Sequence, residues 1–163
     1  MLIAGQWVDS ENGETADILN PANGEVIATT PKATLADVER CVNASREAFN
    51  NPEWKNIDPA QRGRILNKMA AATYANAKSL AVLESTNNGK TFREALSEIR
   101  FGAWTLEYFA GLADKNEGST IPVPGNRLNY TLRQPLGVTA HIVPWNFPLQ
   151  LAIRSIAPAL ASG

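Results

Sequence analysis

Val138-Thr139-Ala140-His141-Ile142-Val143-Pro144-Trp145-Asn146-Phe147-Pro148 is the stretch that decides how this chain reads. Its first six residues form a near-continuous apolar run stopped by a proline, as expected of a β-strand covered on both faces in a parallel sheet. Leu149 to Ala161 then places apolar residues at helical spacing. Strand, tight connection and helix in that order open a βαβ unit, so the sequence predicts an α/β fold. Pro144 and Pro148 fix φ at both ends of the connection and withhold backbone donors, which stiffens it.

In open α/β sheets, ligands sit outside the carboxyl ends of the strands, where this loop falls. Asn146 offers two amide N–H donors there, with no charge to neutralise. Such a donor can stabilise an oxyanion developing from a carbonyl, and losing one typically costs on the order of 10²–10³ in rate. The competing reading is that Asn146 bonds its own turn backbone, and the residues alone leave both open.

Upstream, the first thirty residues read as two small β-hairpins. Gly5 marks the turn of one, and Asn23-Gly24 lies between Asp17-Ile18-Leu19 and Val26-Ile27-Ala28 in the other, where both turn residues accept positive φ. Helices follow. Thr34 and Asp37 resemble a capping box ahead of Leu35, Val38, Val42 and Phe49. Cys41 falls inside this helix and reads as a buried structural thiol. Asp58-Pro59, with Gln61, opens a helix whose stripe continues through Ile65, Met69 and Thr73. Asn88-Gly89 suits a helix stop after Leu80 to Leu83. Thr91 to Glu94 caps a long helix carrying Phe92, Leu96, Ile99, Ala103 and Leu106. Glu84, Glu94, Glu98 and Glu107 read as solvated helix faces, with no acid–base pair among them. Past Ala113 the texture turns to glycine and proline, and Leu128 to Arg133 alternates as a polar ribbon that needs a partner.

Composition narrows the classes. The chain has 163 residues, 44% apolar and 19% charged, with net charge −1, which is a globular rather than a disordered balance. Fifteen basic against sixteen acidic residues, with no basic cluster, leave nucleic acid without a footprint. One cysteine and one histidine can neither form an internal disulfide nor cage zinc, so the expected location is the reducing cytoplasm and no metal ligands are assigned. No signal peptide or membrane span is expected, because Val138 to Ala161 is interrupted by His141, Arg154 and three prolines. A parallel strand needs its crossover to return to a neighbour, and none follows Ala161. The expectation is the N-terminal piece of a larger enzyme, or an obligate part of an assembly.

Pro144-Trp145-Asn146-Phe147-Pro148, flanked by Gly137 to Val143 and by Ile156 to Gly163, resembles the aldehyde dehydrogenase superfamily. Asn20 to Ile27, Arg62 to Leu66, Asn88-Gly89-Lys90 and Tyr108 to Asp114 also resemble family segments, in order. The resemblance implies an enzyme that oxidises an aldehyde to a carboxylic acid with NAD or NADP through a cysteine thioester. Asn146 matches the family's oxyanion-hole donor, and Ile142, Val143, Pro144, Trp145 and Asn146 match the stretch along the bound cofactor. The family's Rossmann-like cofactor domain lacks the usual glycine fingerprint, and this chain contains no Gly-x-Gly.

The implied division is residues 1–118 as hairpins and helices of the cofactor-binding domain, 119–136 as a protruding β-ribbon for homo-oligomerisation into a dimer or tetramer, and 137–163 as an incomplete start of the Rossmann-like sheet. The family's nucleophilic cysteine, general-base glutamate and ribose-binding residues match no position here, so the 163-residue chain alone is expected to be inactive. Asn87 departs from an aspartate that relatives often contribute to a structural cation site. His141 is expected to pack or hydrogen-bond rather than transfer protons. The rival reading is a short, non-catalytic homologue that acts as an assembly partner.

Overall fold

The computed structural model describes Met1–Gly163 and opens with two antiparallel hairpins. In the first, β1 (Leu2–Ile3) pairs with β2 (Gln6–Trp7) across Ala4-Gly5, both at positive φ, which matches the twist of the flanking strands. In the second, β3 (Thr15–Leu19) pairs with β4 (Val26–Pro31). Here only Gly24, not Asn23, takes positive φ. The loop is longer than a two-residue turn and closes on the Asn20 carbonyl, which accepts from the N–H groups of Asn23 and Gly24 at 3.3 and 2.8 Å.

Five helices follow: α1 (Leu35–Asn50), α2 (Pro52–Lys55), α3 (Pro59–Ala75), α4 (Ala77–Asn88) and α5 (Phe92–Leu112). A two-stranded ribbon of β5 (Thr120–Ile121) and β6 (Asn129–Tyr130) leads on to α6 (Pro148–Ser162). The helix starts are chemically explicit. Thr34 with Asp37, and Thr91 with Glu94, form reciprocal capping boxes, and the Asp58 carboxylate accepts from the Ala60 N–H at 2.8 Å.

The core is a three-helix contact of small residues. Leu66 and Ala70 of α3, Leu106 and Ala110 of α5, and Ile153, Ala157 and Ala161 of α6 are buried against one another. A second cluster, Ala77, Ala81, Ala95 and Ile99, joins α4 to α5. Gly63 lets α3 and α5 touch: a Cβ there would lie 2.6 Å from the Ala110 carbonyl oxygen. This corrects the stripe expected for α3, since Ile65 and Met69 face outward while Gly63, Leu66 and Ala70 face the core. The expected α1 stripe is also uncovered, with Leu35 and Val38 exposed and Asp37 the one buried residue of that helix. Cys41 is exposed as well, against the expectation of a buried thiol.

Asp37 stitches the N-terminal hairpins to the helices. Its carboxylate accepts from the backbone N–H groups of Thr34 (2.8 Å) and Glu11 (3.2 Å) and pairs with Arg40. The Thr34 N–H first, then Arg40 and the Glu11 N–H, hold this carboxyl well below the usual carboxylate range.

The expected strand at 138–143 does not form. The three sheets are the two hairpins and the ribbon, and none offers an edge beside it. The backbone of residues 138–144 makes no hydrogen bond within the chain, and Ile142 is fully exposed. An apolar run becomes a strand only when a partner supplies the ladder, and residues 1–163 supply none. The ribbon is short, its strands limited to Thr120–Ile121 and Asn129–Tyr130: all four residues are exposed, and Thr131 N–H closes it onto the Ser119 carbonyl at 2.8 Å. No helix is long and apolar enough to cross a membrane.

Candidate functional site

Residues 145–147 turn directly into α6, with Pro148 in its first turn and the Phe147 carbonyl accepting from the Leu151 N–H at 2.9 Å. The loop rests on the junction between α4 and α5. Gly89 ends α4 in the left-handed conformation (φ 82°), which L-residues rarely adopt, and the chain reverses there so that Asn88 and Lys90 both reach the loop. Asn88 Nδ2 donates to the Trp145 carbonyl at 2.8 Å. Lys90 Nζ donates to the Asn146 carbonyl at 2.7 Å and lies 4.6 Å from the centroid of the Phe147 ring.

Lys90 is itself held from two helices. Its ammonium donates to Glu84 Oε1 of α4 at 3.1 Å and to Glu98 Oε2 of α5, and all three side chains are largely buried. With the Asn146 carbonyl as the third acceptor, every N–H of the ammonium has a partner. Burial, followed by the neighbouring Glu98, pushes the Glu84 carboxyl up, with Lys90 opposing. Burial works against the Lys90 charge, yet the hydrogen bonds to Glu98 and Glu84 more than offset it and hold its pKa above the ordinary value.

This corrects the reading of Glu84 and Glu98 as solvated faces. They lie fourteen positions apart on different helices, a separation that no single-helix periodicity connects, and only the packing of α4 on α5 brings both to Lys90. Glu94 does keep to the surface, where it completes the Thr91 cap.

Asn146 is exposed, and its carboxamide makes no hydrogen bond within the chain. That separates it from an asparagine that satisfies its own turn: the backbone carbonyl is held and the side-chain donors stay free. Pro144 and Trp145 are exposed beside it, and Val143 is half-buried. Ile142, Val143, Pro144, Trp145 and Asn146 thus form one uncharged ledge whose backbone up to Pro144 is unpaired. His141 is bound rather than free, with Nε2 2.9 Å from Thr139 Oγ1 and Nδ1 on Ser155 Oγ of α6. No three His, Cys, Asp or Glu side chains are grouped as a metal cage would need.

The family model described as "Aldehyde dehydrogenase family" matches residues 7–163. The chain is 42% identical over 165 residues to aldehyde dehydrogenase 1A1 of Rattus norvegicus, covering 100% of this chain and 33% of that protein. It is 41% identical over 163 residues to hydroxyisobutyraldehyde dehydrogenase of Mycolicibacterium austroafricanum, covering 100% of this chain and 32% of the relative. Among solved structures, a betaine aldehyde dehydrogenase of Staphylococcus aureus in complex with NAD+ superposes with a TM-score of 0.95 at 40% identity, over 99% of this chain and 33% of that one. The chain therefore spans about a third of the length of these proteins.

Proposed function

The chain belongs to the aldehyde dehydrogenase family, and from that membership and the geometry at Asn146 we propose that it forms the N-terminal portion of an enzyme oxidising an aldehyde to a carboxylic acid. In this reading the chain supplies part of the cofactor-binding domain and the oxyanion donor. A cysteine thiolate and a general base come from outside these residues. The observation that carries the reading is the free carboxamide of Asn146 above a fixed backbone.

When a thiolate adds to an aldehyde carbon, negative charge gathers on the carbonyl oxygen. Asn146 Nδ2–H donates to that oxygen, and the interaction strengthens as the charge develops, so it lowers the barrier rather than merely binding substrate. Being neutral, the amide adds no charge that would have to be desolvated when the site closes.

The ledge from Ile142 to Trp145 fits a nicotinamide dinucleotide. It is uncharged, exposed apart from the half-buried Val143, and its backbone polar groups up to Pro144 are unspent. Bound there, NAD or NADP would supply the hydride acceptor. Ile142 and Trp145 would shield one side of it from water, with the loop's prolines keeping the ledge stiff. The β5–β6 ribbon, exposed on both faces, would join a second copy of the enzyme into a dimer or tetramer, and the cytoplasm is the proposed location.

The test is Asn146→Ala in the complete enzyme. Turnover should fall by about two orders of magnitude while the dissociation constant for the dinucleotide stays within a few-fold. If the loss appeared in cofactor binding with turnover intact, the oxyanion role would fall.

A further inference from the structure

An oxyanion donor must be aimed, and within residues 1–163 the strand side of the loop contributes no backbone hydrogen bond, since residues 138–144 make none. What holds it comes from the α4–α5 turn. The Cα of Asn146 joins two planar peptide units. One carries the Trp145 carbonyl, gripped by Asn88 at 2.8 Å, and the other carries the Asn146 carbonyl, gripped by Lys90 at 2.7 Å. Fixing both planes fixes φ and ψ of the residue between them, and with them the direction of its Cα–Cβ bond.

We infer that the Asn88-Gly89-Lys90 turn is a positioning device for the Asn146 carboxamide, with Lys90 as its principal residue. The inference rests on the oxyanion reading above and adds residues to it. A lysine ammonium on its flexible stem would wander if Asn146 were its only partner. Glu84 and Glu98 remove that freedom by taking its other two N–H bonds from two different helices. The turn is pinned in the same way, with Ser85 Oγ donating to the Lys90 carbonyl at 2.7 Å and the Gly89 N–H to the Ser85 carbonyl at 2.9 Å. Toward the loop, Lys90 and Asn88 meet only its backbone carbonyls and the Phe147 ring, so they act through Asn146 as positioning residues and not on substrate.

A double-mutant cycle in the complete enzyme tests this. Lys90→Met and Asn88→Ala should each lower kcat roughly ten- to hundredfold, the scale of a misplacement near 1 Å, with KM and the NAD+ dissociation constant within a few-fold. Added to Asn146→Ala, Lys90→Met should cost less than about threefold further, because no carboxamide remains to be aimed. Equal losses from Lys90→Met in both backgrounds, or unchanged kcat in both Lys90→Met and Asn88→Ala, would overturn the inference and leave the oxyanion reading standing. If Asn146→Ala alone left kcat unchanged, the oxyanion reading itself would fall and take the inference with it. Lys90→Met strands two buried carboxylates and risks misfolding. Asn88→Ala strands no charge, and its cycle with Asn146→Ala then decides alone, by the same criterion.

Discussion

The Asn88 carboxamide donates to the Trp145 backbone carbonyl at 2.8 Å across 57 positions of sequence. The loop carrying Asn146 is therefore seated on the helical layer, held by the turn between α4 and α5. Within residues 1–163 the segment ahead of it has no ladder, so the contacts that hold the loop here come from the helical layer. The helices α3, α5 and α6 fix where α6 begins, and the α4–α5 turn fixes what precedes it.

Asp37 should make the fold acid-sensitive. Its folded-state pKa is lowered from an ordinary 3.8, chiefly by the Thr34 N–H and then by Arg40 and Glu11. A depressed carboxyl contributes stability that is fully present above its unfolded-state value and lost as the pH falls through the folded-state value. Thermal melts of the wild type and Asp37→Asn should therefore differ most at neutral pH and converge as the pH drops below about 4. A gap that stayed constant down to pH 2 would mean that the charge of Asp37 is not what the N–H groups stabilise.

Local chemistry was readable in the sequence and long-range packing was not. The caps at Thr34, Asp58 and Thr91 and the stop at Gly89 depend on contacts a few residues apart, and all four stand where the residues place them. The α3 core face is hidden in the sequence because large apolar residues dominate a periodicity count, whereas Gly63 and Ala70 are buried and Ile65 and Met69 are not. Close helix approach selects small side chains, so the core face looks weak in sequence. Glu84 and Glu98 read as surface charges because their meeting at Lys90 is a property of two helices together. The motif singles out Asn146 as a candidate, but that its side chain is free and its carbonyl held depends on the α4–α5 turn and is not written in the loop itself.

Gly63 gives a test of that small-residue core. Alanine is the better helix former by about 1 kcal/mol, so an exposed glycine replaced by alanine would stabilise α3. Here the added methyl meets the Ala110 carbonyl oxygen at 2.6 Å, backbone that cannot rotate away. Overpacking of this kind costs about 1–3 kcal/mol, and we expect Gly63→Ala to lower the denaturation midpoint despite its propensity gain. A raised midpoint would show that α3 and α5 separate at little cost.

Residues 1–163 expressed alone should self-associate. Only 19 of 163 residues are buried, a small share for a chain of this length, because the core is built from a few alanine-rich helix contacts. Leu136 and Ile142 are 97% and 100% exposed around the unpaired segment, and Leu35, Leu128 and Leu132 each show more than two thirds of their surface. The β5–β6 ribbon adds strand edges with unpaired backbone groups. Such surface is stable in water only when something covers it, and at working concentration the available cover is another copy. Sedimentation velocity should then show species well above 17.6 kDa, together with a broad thermal transition, since partners of varying register melt over a range. A compact monomer with a sharp, cooperative melt would instead mean that the three-helix contact is enough to hold these residues, and that the open apolar faces cost less than their area implies.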